Sequence, residues 1–332
     1  MKHKTSVLVV GGAGFIGSHM VKLLGQESFD ITVLDNLSSG HEDAILFGDF
    51  VFGDANDKQL ITDIIKSKHF DVVMHFASSI DVAESVIFPN NYYRNNLINT
   101  LNLLDVMIEQ NVKRFIFSST AAIFGEPKYT PIDESHPKNP INPYGRSKLM
   151  VEEILDEYNK AFGLNYVCLR YFNAAGADPD GQLGERHIKE THLIPLILQA
   201  ASGRREEIYL NGCDYDTKDG TCVRDYIHVT DLCHAHLLGI NYLMNTDKPM
   251  SLNLGNGEGF SVKEVIDMAK KVTQVDFKVV ERGRREGDPA ILIADSSLAI
   301  KELGWKPKYQ NLNMIIDHAW KFETDFLAVK KI

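Results

Sequence analysis

The first half of the chain alternates short apolar, β-branched runs with amphipathic stretches. SVLVV (6–10), ITVLD (31–35), FVFGD (50–54), DVVMHF (71–76), RFIFSS (114–119) and NYVCLR (165–170) carry the near-continuous apolar pattern of strands buried on both faces of a parallel sheet. Between them FIGSHMVKLLGQ, DKQLITDIIKSK, NYYRNNLINTLNLLDVMIEQ and YGRSKLMVEEILDEYNKAF place apolar residues at helical spacing and predict helices. Repeated βα units of this kind predict an α/β fold, a Rossmann-type doubly wound parallel sheet. After about residue 175 the alternation fades into polar segments such as GADPDGQLGERHIKE and NGCDYDTKDGT. Residues 1–175 are therefore expected to form one domain and 176–332 a smaller α/β lobe, with some later segments returning to the sheet.

Glycines stand where the first strand should pass into the first helix. Gly11, Gly14 and Gly17 in VVGGAGFIGSH have the context of a dinucleotide fingerprint: a tight turn, close approach of backbone N–H groups to a pyrophosphate, and a helix N-terminus offering positive potential. Asp35, ending the second predicted strand, is placed to accept hydrogen bonds from both ribose hydroxyls. The residues after it, Asn36 to Gly40, include no Lys or Arg to receive a 2′-phosphate, so the expected cofactor is NAD rather than NADP. Asp54 is a candidate for the adenine edge, and could equally cap the helix that starts near Asp57.

Tyr144 and Lys148 in NPYGRSKLMVEE are four residues apart on a helix entered through Pro143, so they share a face. An ammonium and a positive nicotinamide ring both favour phenolate, which would let Tyr144 act as general base. An isolated pair of this kind would read as a solvent-exposed Tyr and Lys; downstream of the glycine motif it reads as a catalytic pair.

Charge and cysteine content narrow the partners. A formal charge of −10 repels polyanions and acidic membrane surfaces, so no nucleic acid and no membrane is expected as partner, and any phosphate must belong to a small ligand in a local pocket. Cys168, Cys213, Cys222 and Cys233 show no zinc spacing and suit reduced thiols in a cytoplasmic protein. The N-terminal apolar run breaks at GGAGFIG, too early for a signal peptide, and no stretch approaches the ~18 apolar residues of a membrane span.

GGAGFIG, Asp35 with NLSSG after it, HFAS, SSTAAIFG and YGRSK, in this order, resemble the extended short-chain dehydrogenase/reductase family. The second half, through RYFNAAGA, THLIP, DYDTKDGTCVRDYIHV and GRREGDPA, is similar to its UDP-hexose 4-epimerase branch. The resemblance implies an isomerase that oxidises C4 of UDP-glucose or UDP-galactose by hydride transfer to NAD. The transient 4-keto sugar then turns and is reduced on its opposite face. It implies Tyr144, Lys148 and Thr120 as catalytic residues, Thr120 bonding the sugar 4-hydroxyl. Cofactor contacts are implied for Gly11, Gly14, Phe15, Ile16, Gly17, Asp35, Asn36, Asp54, Ala55, Phe76, Ala77, Asn95, Ser118, Tyr144, Lys148, Tyr171 and Phe172. Substrate contacts are implied for Thr120, Tyr144, Asn173, His192, Leu193, Tyr209, Arg224, Arg285, Asp288 and Leu292. No metal is implied. A homodimer is, with helices near 91–110 and 144–162 pairing with their copies as a four-helix bundle.

Two departures from some family members stand out: Ile80 where they carry Lys, and His192 where they carry Asn. Leu292 falls where members restricted to non-acetylated sugars carry Tyr, which leaves room for UDP-GlcNAc and UDP-GalNAc. Rival readings are a nucleotide-sugar 4,6-dehydratase, a UDP-glucuronate 4-epimerase, and a non-catalytic NAD-binding regulator. A dehydratase would carry Asp-Glu after Thr120, where this chain has Ala121 and Ala122.

Overall fold

A computed structural model describes residues 4–285 and 287–330. Its centre is a parallel sheet of seven strands: β1 (Ser6–Val10), β2 (Asp30–Asp35), β3 (Asp49–Phe52), β4 (Val72–His75), β5 (Arg114–Thr120), β6 (Asn165–Tyr171) and, from late in the chain, the strand Met250–Leu254 beside β6. The spatial order runs 3-2-1-4-5-6 and then this last strand. Successive residues of β1 serve opposite cores: Val7 and Val9 face Met20, Val21 and Leu24 of α1 (Phe15–Gln26), while Leu8 and Val10 face Ile61 and Ile64 of α2 (Lys58–Ser67). This two-sided burial is why the inner strands read as unbroken apolar runs; β3, at the sheet's edge, is at most half-buried, with Phe52 exposed.

The third strand ends at Phe52, before the expected Asp54. Gly53 turns the chain there, since a Cβ would lie 2.1 Å from Leu60 Cδ2. Asp57, and not Asp54, caps α2 by accepting from Leu60 N at 3.0 Å. After α3 (Val82–Ile87) comes the stretch expected to be a single helix: α4 (Pro89–Tyr92), a π turn over Tyr93–Ile98, and α5 (Asn99–Glu109). The extra residue in the π turn lets Asn96 face inward, where its side chain accepts from Ser79 N (2.8 Å) and donates to Ser79 O (3.0 Å) and Ser147 Oγ (3.2 Å). The next helix, α6 (Pro143–Phe162), starts with Pro143 as its first residue and Asn142 as its cap, and ends at left-handed Gly163.

The second half holds more regular structure than its polar segments suggest. It contains β7 (Asn173–Ala175), α7 (Leu193–Ala201), β8 (Glu207–Asn211), β9 (Val223–Arg224), β10 (Tyr226–His228), α8 (Val229–Asn245), β11 (the sheet strand Met250–Leu254), β12 (Phe260–Ser261), α9 (Val262–Thr273), β13 (Lys278–Arg282), β14 (Ile291–Leu292), α10 (Ser297–Leu303) and α11 (Leu312–Lys330). Leu232, Cys233 and Ile240 of α8 join the same core as α1. Helices α7, α9 and α11 enclose a separate core around Ile197, Val265, Ile266, Ile315 and Ile316. Among the described residues no helix is long and apolar enough to cross a membrane.

Candidate active site

Strand order reverses between β1 and β4, and open α/β sheets bind ligands at such a switch point. A cavity of about 440 Å³ opens there, lined by Gly11, Gly14, Asp35, Asn36, Asp54, Ala55, Phe76, Ala77 and Asn95 among others. Gly11, at φ 83°, runs so close to β4's end that a Cβ would sit 2.3 Å from Ala77 N. At Gly17 a Cβ would sit 2.1 Å from Gly11 O, whereas at Gly14 the nearest neighbour is 3.6 Å away. The result is a bare backbone cradle at the start of α1, with no acidic residue in the helix's first turn, which fits a pyrophosphate. Asp35 is held in place by Ala13 N (2.9 Å) and Leu37 N (2.8 Å), and Asp54 by Asn36 Nδ2 (2.7 Å). Phe15 and Ile16 turn from the cavity and pack against the α1 core.

The residues expected to handle protons stand at the end of β5, where Thr120 lies, and on the first turns of α6, which carry Tyr144 and Lys148. The side chain of Asn142 accepts from Gly145 N at 2.8 Å, fixing the first turn of α6 and aligning Tyr144, Lys148 and Glu152 on one face. Lys148, 2% exposed, donates to Ser78 Oγ (2.6 Å) and Ser118 O (2.8 Å) and stands over the Phe117 ring. Burial pulls its ammonium down to about 7. Burial also pushes the Tyr144 phenol above its ordinary range, against a hydrogen bond with Thr120 that works the other way. This direction runs against the phenolate expected from the sequence, for which the Lys148 ammonium, itself pulled down by burial, and a nicotinamide ring would supply the positive charge. Tyr171 bonds Ser118 and faces His236. Phe172 and Leu292 pack beside Ala121, Ile123 and Phe124.

Of the expected substrate residues, Asn173, Arg224 and Leu292 lie on the short strands β7, β9 and β14, Tyr209 on β8, and His192 and Leu193 at the start of α7. Asn173 Nδ2 donates to Asp225 O (2.9 Å), and Asp225 N donates to Leu292 O (3.0 Å). Leu292 is in register with Arg224. Arg224 is paired with Asp288, Arg285 lies beside Asn211, and Tyr209 lies under the Arg282 guanidinium. His192 occupies the N-cap position of α7, immediately before Leu193, without a side-chain capping bond.

Sequence reasoning missed several supporting groups. Ser78 anchors Lys148. Asn211 Oδ1 accepts from Arg285 Nε (3.2 Å) and Nη2 (3.1 Å). Asp225, fully buried, receives Asn256 N, Gly257 N and Ala294 N, and burial raises its carboxyl to about 6 despite those bonds. Behind Lys148, Glu152 receives Ser119 Oγ (2.6 Å) and a two-pronged Arg170 (2.9 and 2.8 Å). A buried charge inside GTCVRDYIHV was the available signal for Asp225; the others become neighbours only in the fold. Burial opposes charge on His187, but bonds to Glu185 and Glu190 prevail and push its imidazole up to about 10.

Residues 7–255 match the NAD dependent epimerase/dehydratase family. The chain is 50% identical over 320 residues, 96% of each protein, to a UDP-glucose 4-epimerase of Halalkalibacterium halodurans. Its fold is similar to the UDP-glucose 4-epimerase of Brucella ovis in complex with NAD, with a TM-score of 0.94, 48% identity and coverage of 96% of this chain and 98% of that one. It also resembles the UDP-Glc/GlcNAc 4-epimerase of Campylobacter jejuni, with a TM-score of 0.85, 45% identity and coverage of 97% and 99%.

Proposed function

Since the chain belongs to the NAD dependent epimerase/dehydratase family, we propose that it interconverts UDP-glucose and UDP-galactose by inverting C4 of the hexose, with NAD as resident cofactor. The observation that carries this reading is Tyr144 set against Thr120, with Lys148 one turn further along α6, in a fold whose first strand leads into a glycine cradle. Bound NAD supplies the acceptor for the C4 hydrogen. The cradle at Gly11 and Gly14 would hold its pyrophosphate, Asp35 its ribose and Asp54 its adenine edge. Thr120 orients the sugar 4-hydroxyl. Tyr144 takes its proton as the C4–O bond becomes a carbonyl, and returns it when C4 is reduced. Arg224 and Arg285 grip the diphosphate by charged hydrogen bonds, leaving the hexose free to turn. Ala121 and Ala122 offer no acid to expel the C6 hydroxyl, which sets dehydration aside.

In this proposal residues 1–175 bind NAD and 176–332 the UDP-sugar, in a cytoplasmic enzyme whose four cysteines are free thiols. The homodimer belongs to it too: Ile87 (68% exposed), Phe88 (50%) and Ile98 (48%) supply apolar surface at the α3–α5 stretch. Purified without added cofactor, the protein should convert UDP-galactose to UDP-glucose, release NAD on denaturation and scatter light as a dimer. A nucleotide-free preparation strictly dependent on NADP would overturn the cofactor assignment, and a monomer the assembly.

The finer proposal is that UDP-GlcNAc and UDP-GalNAc are also accepted, supported by half-buried Leu292 beside Phe172 and Ala121 and by the similarity to the Campylobacter jejuni protein. Leu292→Tyr should lower kcat/KM for the acetylated pair by about 10- to 200-fold relative to the plain pair, the span of steric selection in an apolar pocket. Equal losses on both pairs would show that Leu292 only packs.

A further inference from the structure

The segment from Glu185 to His192 reads E-R-H-I-K-E-T-H, and its two glutamates and two histidines converge. One ligand-capable atom from each of Glu185, His187, Glu190 and His192 lies within 4.8 Å of all the others. Glu185 Oε1 faces both imidazoles: it is 3.2 Å from His187 Nδ1 and in close contact with His192 Nδ1. His187 Nδ1 is also 3.5 Å from Glu190 Oε2. The carboxylates are almost sealed, at 4% and 5% side-chain exposure, while His187 at 18% and His192 at 42% leave an approach from solvent.

We infer that these four side chains form a binding site for a divalent transition-metal ion, Zn²⁺ foremost. Two buried carboxylates need two positive charges nearby. Two protons on the imidazoles supply them, and so does one Zn²⁺ with both imidazoles neutral, so metal replaces protons without changing the net charge of the cluster. Tetrahedral Zn²⁺ holds N and O ligands at about 2.0–2.2 Å, hence about 3.3–3.5 Å from one another; the His187–Glu185 and His187–Glu190 separations, 3.2 and 3.5 Å, already match, while the closer Glu185–His192 contact would open as an ion replaces its proton. Imidazole with carboxylate favours Zn²⁺ over Mg²⁺ or Ca²⁺, which prefer oxygen alone. Outer contacts needed to orient such ligands are also built in. Glu190 Oε1 accepts from Thr191 N and His192 N, each at 2.8 Å, leaving Oε2 turned to His187. Arg186 is tied to Asp43 by two bonds (2.9 and 2.7 Å), and its carbonyl lies 2.8 Å from His41 Nε2. Because His187, Ile188, Lys189 and Thr191 also wall the cofactor cavity, a bound ion would fasten this wall to the start of α7.

The test uses the tag-free, NAD-loaded protein after dialysis against EDTA, titrated with Zn²⁺ by calorimetry and metal analysis in the presence of millimolar Mg²⁺. One Zn²⁺ per chain with micromolar or tighter affinity is expected, weakened at least ten-fold in both His187→Ala and Glu190→Gln, with circular dichroism confirming that each variant is folded. Co²⁺ in place of Zn²⁺ should show the intense visible bands of a tetrahedral site. Failure of the unaltered protein to take up one equivalent, unchanged affinity in either folded variant, or an octahedral Co²⁺ spectrum would overturn the site.

Discussion

Tyr144→Phe should lower kcat for UDP-galactose by at least a thousand-fold while the purified variant keeps its NAD. Positioned acid/base groups contribute about 10²–10⁴-fold, and in the proposed reaction one oxygen serves for both removal and return of the proton. Nothing adjacent can replace it: Thr120 is an alcohol of far higher pKa, and Lys148 is committed to Ser78 and Ser118. The ring itself stays, so the first turn of α6, fixed by Asn142 and Pro143, and the cofactor cradle on the far side should be undisturbed. Turnover by a coupled assay and nucleotide released on denaturation separate the two effects. Activity within ten-fold of the unaltered enzyme would remove Tyr144 from the acid/base role; loss of NAD along with activity would show that the phenol acts through cofactor binding.

The second large effect concerns stability. Arg170 and Glu152 pair at 2.8 Å with side-chain exposures of 3% and 4%, so solvent screens the pair little. Arg170→Met leaves the Glu152 carboxylate buried without its bidentate partner, offset only in part by the Ser119 hydroxyl (2.6 Å), by Lys138, 3.3 Å away and partly exposed, and by the more distant Lys148. The expected loss is about 3–5 kcal/mol in denaturant unfolding, because removal of one partner strands the other charge. Adding Glu152→Leu should restore much of that loss, since an apolar pair needs no compensation. A single-variant loss below about 1 kcal/mol, or a double variant as unstable as the single, would contradict this account. Glu152 lies one turn beyond Lys148, so its bonds to Ser119 and Arg170 hold α6 against β5 and β6 beside the proposed acid/base residues.

How much of this was readable in advance follows from how far each signal lies along the chain. Of the first six strands, β1, β2, β4, β5 and β6 stood out because they are buried on both faces, which makes a run of apolar residues self-announcing; β3, at the sheet's edge with Phe52 exposed, was legible from its β-branched and aromatic run alone. Asp35 was legible as the residue ending the second strand, and Tyr144 with Lys148 through their spacing and Pro143. The π turn over Tyr93–Ile98 was not, since one inserted residue leaves the apolar spacing of a helix almost unchanged. Helices α7, α9 and α11 were passed over because they bury their faces mainly against one another, far apart in sequence, among conspicuous polar loops. Ser78 under Lys148 and Arg170 under Glu152 carry no local pattern at all. The segment 185–192 read as loop, with His192 alone noticed, because convergence of four side chains is a property of its folded path.

The sheet is completed by a strand that arrives late. As the chain leaves the ribosome, β6 is finished at Tyr171, but its outer edge waits for β11, which begins at Met250. At about 5–20 residues per second, the roughly 80 residues between them take about 4–16 s to synthesise. Through that interval β6 presents an unpaired backbone edge of apolar residues, the kind of surface that recruits foreign strands. The nascent protein is therefore most exposed to aggregation just after β6 is complete and before β11 has covered its edge.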